Sequence, residues 1–455
     1  MGGYLDRTHY GVLGPVAYRA YVPHGIAGWD PVIGTATAGR VKAAGDRIAA
    51  MAARLPSHRS LRWCLNRSEG IASSDVEGIS TTLRSLSLLE SLRASHDPER
   101  RRRDTQALGA ARLTARAGEI GRRTGEPVGL SDLLGMHQRL FEATSVPFEP
   151  GRLRSDDIWI GPAGATPTEA LYVAPPADRV GPLVGDLMEF ASARDLMHPL
   201  LKAAVAHLQF ETIHPFPDGN GRVGRALIHC VLQRNWPDAP PIPLSAAIAE
   251  NKQAYYQSLR PYQTYTGDSD SPIRDACAEA AAGYIADAAE VACDYTQAIA
   301  LAVADMHAQW DQLGLRPHSA AAAVLEAMET MPAAGVAYLC DTTGRSPNAV
   351  RRGLRTLTAE GAIAETRDDH TGRRAFEAPV LLHIVDHRQE LLRRCWQERQ
   401  SGTNSSPGEL LAQWRRDVAP STPPEQEPLR CSHVGERSDT RCTLPAGHRP
   451  PHRYT

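Results

Sequence analysis

The residues best suited to chemistry fall together in one run, Ile213-His-Pro-Phe-Pro-Asp-Gly-Asn-Gly-Arg-Val-Gly-Arg225. Leu201, Ala204, Val205 and Leu208 predict an amphipathic helix before it; Val223, Leu227, Ile228, Val231 and Leu232 predict a second after it. A polar loop therefore runs straight into a helix start. There, unpaired backbone N–H groups and the positive end of the helix dipole suit an anion. Gly219 and Gly221 let the backbone approach a phosphate with no Cβ in the way. Asp218 offers a carboxylate oxygen to magnesium, which takes one or two carboxylates beside substrate phosphates. Arg222 and Arg225, three apart on the first turn, can fork onto phosphate oxygens. His214 at the loop entrance has the proton affinity of a general base for a hydroxyl near neutral pH.

Taken singly, a histidine beside proline or a Gly-Asn-Gly turn is commonplace. Taken jointly, the run resembles the Fic-family signature His-x-Phe-x-Asp/Glu-Gly-Asn-Gly-Arg-x-x-Arg at every specified position. The resemblance implies a helical core that moves AMP from ATP to a Ser, Thr or Tyr hydroxyl of a target protein. It makes His214 the base, Phe216 the loop's core anchor and Asp218 the magnesium ligand. The Gly219–Gly221 backbone with Asn220 becomes the anion hole, and Arg222 and Arg225 bind the distal phosphates. Gly151-Arg-Leu-Arg154, Trp159-Ile160 and Tyr172-Val-Ala-Pro-Pro176 look like the family's flap hairpin, which registers the target segment by strand addition. Tyr255 and Tyr256 resemble a pair that lines the adenine pocket, although the residues after them depart from the family pattern.

Upstream, Ser73-Ser-Asp-Val-Glu77-Gly78 fits Ser/Thr-x-x-x-Glu-Gly/Asn. In the family such a segment belongs to an inhibitory helix, here expected near 68–82, whose Ser73 and Glu77 engage the second motif arginine, Arg225. The ion pair would occupy the cation that a terminal phosphate needs. Residues 1–104 thus become a regulatory N-terminal region and 105–300 the catalytic core. The alternatives are a DNA-binding regulator with the core as sensor, transfer of the γ-phosphoryl, another nucleotide, or removal of AMP.

The elements that position this chemistry are mostly helical. Apolar periods predict helices over 36–54 and 84–95, and helices resume from about Val180 to Met306. Proline and glycine between 145 and 180 break the period around two β-prone runs, Ile158–Ile160 and Ala170–Val173, which predict a hairpin. The charge run Asp97–Asp104 is expected to be a solvated loop or helix end. Residues 316–385 read as a separate winged helix-turn-helix. Its helices are Ala320–Met328, Val336–Asp341 and one capped by Ser346, with a hairpin of Ala364–Thr366 and Ala375–Glu377. Arg351, Arg352 and Arg355 fall on its recognition helix and Arg373 and Arg374 in its wing, but a regulatory or protein-binding role is preferred to DNA contact. Residues 400–428 read as a flexible linker.

Composition bounds the rest. The chain has 455 residues and a net charge of −2, which argues against a surface wholly given to nucleic acid. It carries 47 Arg and three Lys. No run of eighteen apolar residues occurs and the first residues lack a signal peptide's apolar core, so a cytoplasmic protein is expected, with a homodimer as one oligomeric option. Cys64, Cys230, Cys277, Cys293, Cys340 and Cys395 show no paired spacing and read as buried thiols. In the tail, 429–455, Cys431, Cys442, His448 and His452 have the donor types for tetrahedral zinc, which would have to order so short a segment.

Overall fold

A computed structural model describes residues 2–418 apart from 12–13, 56–58, 93–96, 124, 163, 370 and 404. Its elements run β1 Gly3–Gly11, β2 Gly14–Val22, α1 Thr35–Arg54, α2 Arg59–Val76, α3 Leu83–Leu92, α4 Pro98–Gly121, α5 Leu130–Phe141, β3 Trp159–Ile160 and β4 Tyr172–Val173. Then come α6 Ala177–Ser192, α7 Pro199–Ile213, α8 Asn220–Asn235, α9 Leu244–Glu250, α10 Lys252–Leu259 and α11 Pro272–Gln312. The remainder is α12 Ala320–Met328, β5 Ala333–Ala334, α13 Val336–Thr343, α14 Pro347–Ala359, β6 Ala364–Arg367, β7 Arg374–Glu377, α15 Pro379–Asp386, α16 Arg388–Ser401 and α17 Pro407–Val418. The protein is mainly α, as the periodicity predicts.

At the centre stands α7, buried along its whole length from Leu200 to Ile213, so that Lys202, His207, Gln209 and Glu211 are enclosed with its apolar residues and no face is left to solvent. It turns through the loop 214–219 into α8, which is buried from Val223 to Gln233. Along α11, alanines at 278, 281, 282, 286, 289 and 292 are buried, and α1, α7, α9 and α16 pack against this small-residue helix. Close approach also sets α4. A Cβ on Gly70 of α2 would stand 2.3 Å from Ala111 Cα of α4, and one on Gly109 would stand 2.2 Å from the Leu140 carbonyl oxygen of α5. Those two glycines seat α4 between α2 and α5.

The antiparallel pair β3–β4 aligns Trp159 with Val173 and Ile160 with Tyr172. Against it lies a hairpin the sequence reading did not foresee, β1–β2, with Gly3 opposite Val22 and Asp6 opposite Arg19. Tyr18 and Ala20 pack on Val173, while Tyr21 packs on Tyr172 and Ala174. Residues 320–377 have their own core, built on Val324, Met328, Leu339, Val350, Leu354 and Phe376. There α12–α14 meet a sheet of order β5-β7-β6, in which β5 is a further unforeseen strand.

Two other expectations change, while the charge run takes the helix-end option. Asp97 accepts from the Glu99 and Arg100 N–H groups and Pro98 follows it, so the run opens α4. The segment carrying Ser73 and Glu77 is the end of α2, which stops at Val76 before Gly78 at φ +79, not a helix over 68–82. Within the expected linker 400–428, Pro407–Val418 is helical. The reason is a reciprocal cap: Ser406 Oγ accepts from Glu409 N at 3.3 Å, and the Glu409 carboxylate accepts from Ser406 N at 2.7 Å.

The chain divides into two units, Met1–Leu410 and Leu411–Thr455. The four tail residues expected to bind zinc lie outside the described residues. Among the described residues no group of three His, Cys, Asp or Glu is arranged to hold a metal, and no helix is long and apolar enough to cross a membrane. Cys64, Cys230, Cys277, Cys293 and Cys395 are buried free thiols, and Cys340 is partly so. Gly109→Ala is expected to cost about 1–3 kcal/mol, because a backbone carbonyl cannot yield as a side chain can. An unchanged urea midpoint would overturn that view of the α4–α5 contact.

Candidate active site

The site begins with strain. His214 caps α7 in the left-handed region at φ 51, a conformation that non-glycine residues hold only when their surroundings enforce it. The enforcing residue is Arg154. Its Nε donates to the His214 carbonyl at 2.9 Å, Nη2 to the Pro175 carbonyl at 2.5 Å, and Nη1 to the Asp156 carbonyl at 2.8 Å. Its own backbone N–H donates to the Pro215 carbonyl at 3.0 Å. Burial draws its pKa down to about 10, which still leaves the guanidinium charged at neutral pH. One buried side chain thus ties the loop to the β3–β4 hairpin.

A second lock is His137 of α5. Its ring stacks on Phe216 at 3.9 Å with 5° between planes. Nδ1 accepts from Gly151 N at 2.8 Å, so the proton sits on Nε2, which donates to the Asp218 carbonyl at 3.1 Å. Burial lowers its pKa to about 4, in keeping with a neutral ring. Asn220 closes the loop from inside: Oδ1 accepts from Phe216 N and Nδ2 donates to the Phe216 carbonyl, both at 2.8 Å. Its side chain is therefore engaged with the loop, and what Asn220 can offer an anion is its backbone N–H.

Gly219, the N-cap of α8 at φ +80, needs its missing side chain twice over. A Cβ there would also meet Leu140 and Phe141 at 2.8–2.9 Å. Asp218 leaves its carboxylate 55% exposed at the rim, with Oδ1 accepting from Gly219 N. One carboxylate beside phosphate oxygens is a donor set that magnesium accepts. Arg222 is 3% exposed and lies over the Phe141 ring; its Nε and Nη1 find no protein partner among the described residues. A buried guanidinium with unmatched donors at a helix start is a place for an anion.

Arg225 is differently placed. It is 2% exposed, its Nε donates to Ser73 Oγ at 3.0 Å, and its Nη2 donates to the Ser73 carbonyl and to Glu77 Oε1, each at 2.7 Å. A Cβ on Gly221 would come within 2.2 Å of Glu77 Oε1, so the carboxylate lies directly over the start of α8. Burial opposes its charge, but the Arg225 guanidinium and its hydrogen bond, with Arg222 and His214 nearby, outweigh that and hold the Glu77 pKa below the ordinary range.

Burial sets His214 at about 4, so the ring is neutral at pH 7. Its Nδ1 faces the Glu211 carbonyl at 3.4 Å. Beneath it the Glu211 carboxyl, buried among His207, Gly224 and His214, is pushed up to about 8. Tyr255 is buried, with its hydroxyl 2.7 Å from His207 Nε2, whereas Tyr256 keeps half its surface exposed. Only Tyr256 of that pair presents a ring to solvent. His137, Glu211 and the role of Arg154 were missed in the sequence. Their partners are backbone groups and helix neighbours, which leave no motif.

Fold and site define a helical protein whose anion-binding loop and helix start are covered by a carboxylate from its own N-terminal region. Residues 127–232 match the Fic/DOC family. It is 31% identical over 132 residues to protein adenylyltransferase fic-1 of Caenorhabditis briggsae, a match covering 29% of this chain and 24% of that protein. It is 27% identical over 151 residues to protein adenylyltransferase Fic of Nematostella vectensis, covering 33% and 31%. The chain thus spans a third or less of the length of these two relatives. A solved Fic family protein from Desulfovibrio desulfuricans G20 aligns with 77% of this chain and 98% of its own at 24% identity and a TM-score of 0.47.

Because the folded pKa of Glu77 lies below its unfolded value, the stability from its ion pair is fully present above about pH 4.3. It is lost as pH falls through the folded value. Glu77→Gln is expected to melt below the unsubstituted protein at pH 7, with the gap closing under acid conditions. A gap constant from pH 7 to pH 3 would show that charge pairing contributes nothing.

Proposed function

We propose that the protein is a Fic-type protein AMP transferase, restrained in cis by the Ser73–Glu77 engagement of Arg225. The observation that carries this reading is the pairing of Arg225 with Glu77 directly over an otherwise complete anion site beside a neutral His214. Nδ1 of His214 faces a carbonyl and so holds the proton, leaving Nε2 to accept one. In the reaction, Nε2 takes the proton of the target hydroxyl as its oxygen bonds to the α-phosphorus of ATP. The bond to the bridging oxygen breaks, and pyrophosphate leaves. The N–H groups at the start of α8 and the guanidinium of Arg222 stabilise the charge that develops. Asp218 is the residue to hold magnesium, which when bound offsets the charge on the phosphates.

The hairpin β3–β4 is the docking edge for the target chain, with Leu171 70% exposed beside it. We read residues 316–385 as a winged helix-turn-helix. Arg351, Arg352 and Arg355 of its third helix are exposed, and so are Arg373 and Arg374 of the wing, but those two are already engaged, Arg373 donating to the Leu92 carbonyl at 3.1 Å and Arg374 pairing with Glu365. That favours a regulatory over a DNA-reading role.

Glu77→Gly is expected to raise transfer of α-labelled phosphate from ATP into protein by about tenfold or more, by freeing the competed cation. Adding His214→Ala should then lower it by about 10²–10⁴. Incorporation of γ-label instead, or no gain from Glu77→Gly, would overturn the reading. With its base at about 4, kcat/KM should keep its acid side flat down to below pH 6. A fall centred near 6.5 would mean that His214 titrates as an unburied imidazole.

A further inference from the structure

We propose that Arg102 and Arg103 of α4 form a second cationic wall of this site, which binds the two distal phosphates of the nucleotide and the pyrophosphate they become. The inference rests on the functional reading above and concerns residues outside the family signature. A cavity of about 300 Å³ lies against the start of α8, and its lining includes Glu77, Arg102, Arg103, Asp218, Gly219 and Arg222. His214 is not among its lining residues, so the cavity takes in the helix start and Asp218 but not the base. A leaving group departs opposite the nucleophile in an in-line displacement, and a space of this kind suits it.

The phase of α4 puts the two arginines there. Asp97 and Pro98 fix the helix start, and Asp104 and Gln106 turn inward and are buried. Arg100 is taken up by the fold, donating to Ser85 Oγ at 2.7 Å and standing 3.7 Å from Asp104. Arg102 and Arg103 are exposed and form no hydrogen bond or ion pair with any described residue. Across the cavity, buried Arg222 holds Nε and Nη1 with no partner among the described residues. Three guanidiniums thus face one space with three carboxylates, of which Glu77 already serves Arg225, Asp218 is the one suited to a metal, and Glu99 lies beside Arg102 and Arg103 on α4. Like charges so gathered are relieved by a polyanion. Arg102 also lines an adjoining groove of about 740 Å³ that meets the first at Asp218, the residue suited to the metal. An acidic target segment in that groove is the competing occupant, and the experiment separates the two.

The test is calorimetric titration of magnesium ATP, AMP and inorganic pyrophosphate into the Glu77→Gly protein, with and without Arg102→Ala/Arg103→Ala. Affinity for ATP and pyrophosphate is expected to fall about tenfold, the scale of one or two charge-assisted contacts, while AMP affinity stays within about twofold. Arg102→Lys/Arg103→Lys should recover part of the loss, since charge remains and the fork does not. Equal losses for AMP and ATP, or none, would overturn the proposal. So would unchanged ATP binding with a raised KM for an acidic target, which would give the arginines to the protein substrate. If the Glu77→Gly parent itself binds none of the three, the functional reading fails first and is seen to do so.

Discussion

Arg225 is a guanidinium held at 2% exposure, and a buried charge costs several kcal/mol unless it is paired and hydrogen-bonded. Ser73 supplies two acceptors and Glu77 the countercharge. The same position, beside the first turn of α8, is where the helix dipole and the loop amides favour an anion. On the function proposed above, an internal carboxylate and a substrate phosphate satisfy one need and exclude each other. The carboxylate is covalently attached and always nearby, so it prevails until its segment moves or a ligand binds well enough to displace it.

That segment is not loosely held. Asp75, two residues before Glu77, is ion-paired with Arg388 at the start of α16. Beyond the turn, the first N–H groups of α3 donate to Asp386, with Leu83 N at 2.5 Å and Arg84 N at 3.3 Å. Arg84 then reaches Glu377 of β7 at 2.6 Å and Asp369 at 2.9 Å. The end of α2 is thus fixed on both sides, and Glu77 sits between two anchored points. Holding a carboxylate within 2.7 Å of one nitrogen requires such anchoring, because a surface glutamate on a free turn would lose the pairing to rotamer entropy.

The loop 213–225 was legible in the sequence because its chemistry is local: glycine, carboxylate and arginines act at fixed offsets around one helix start. Ser73 and Glu77 were legible only through resemblance, since nothing in a short Ser-x-x-x-Glu string states which distant arginine it meets. Arg154 and His137 were opaque for a physical reason. Their partners are carbonyls and an N–H group, all but the Asp156 carbonyl 14 to 81 residues away, and backbone groups carry no sequence signature. The hairpin β1–β2 was missed although Val16, Tyr18 and Ala20 alternate with polar or small neighbours, and the helix Pro407–Val418 although its Ser406–Glu409 cap was written in the chain. Both are cases where a short local signal was outweighed by composition.

Two titrating groups beneath the loop explain why the arrangement is poised rather than merely closed. His214 and Glu211 approach to 4.0 Å, yet burial drives their proton affinities in opposite directions, to about 4 and about 8. At neutral pH the imidazole is free of its second proton and the carboxyl retains its own. An ionised Glu211 would place a negative charge under the helix start where we propose that phosphates bind, and it would give Arg225 a permanent partner. Kept neutral, it does neither. The charge on Arg225 then has to be met from outside α7 and α8, by Glu77 or by an anionic ligand, and the competition between those two follows from burying Glu211.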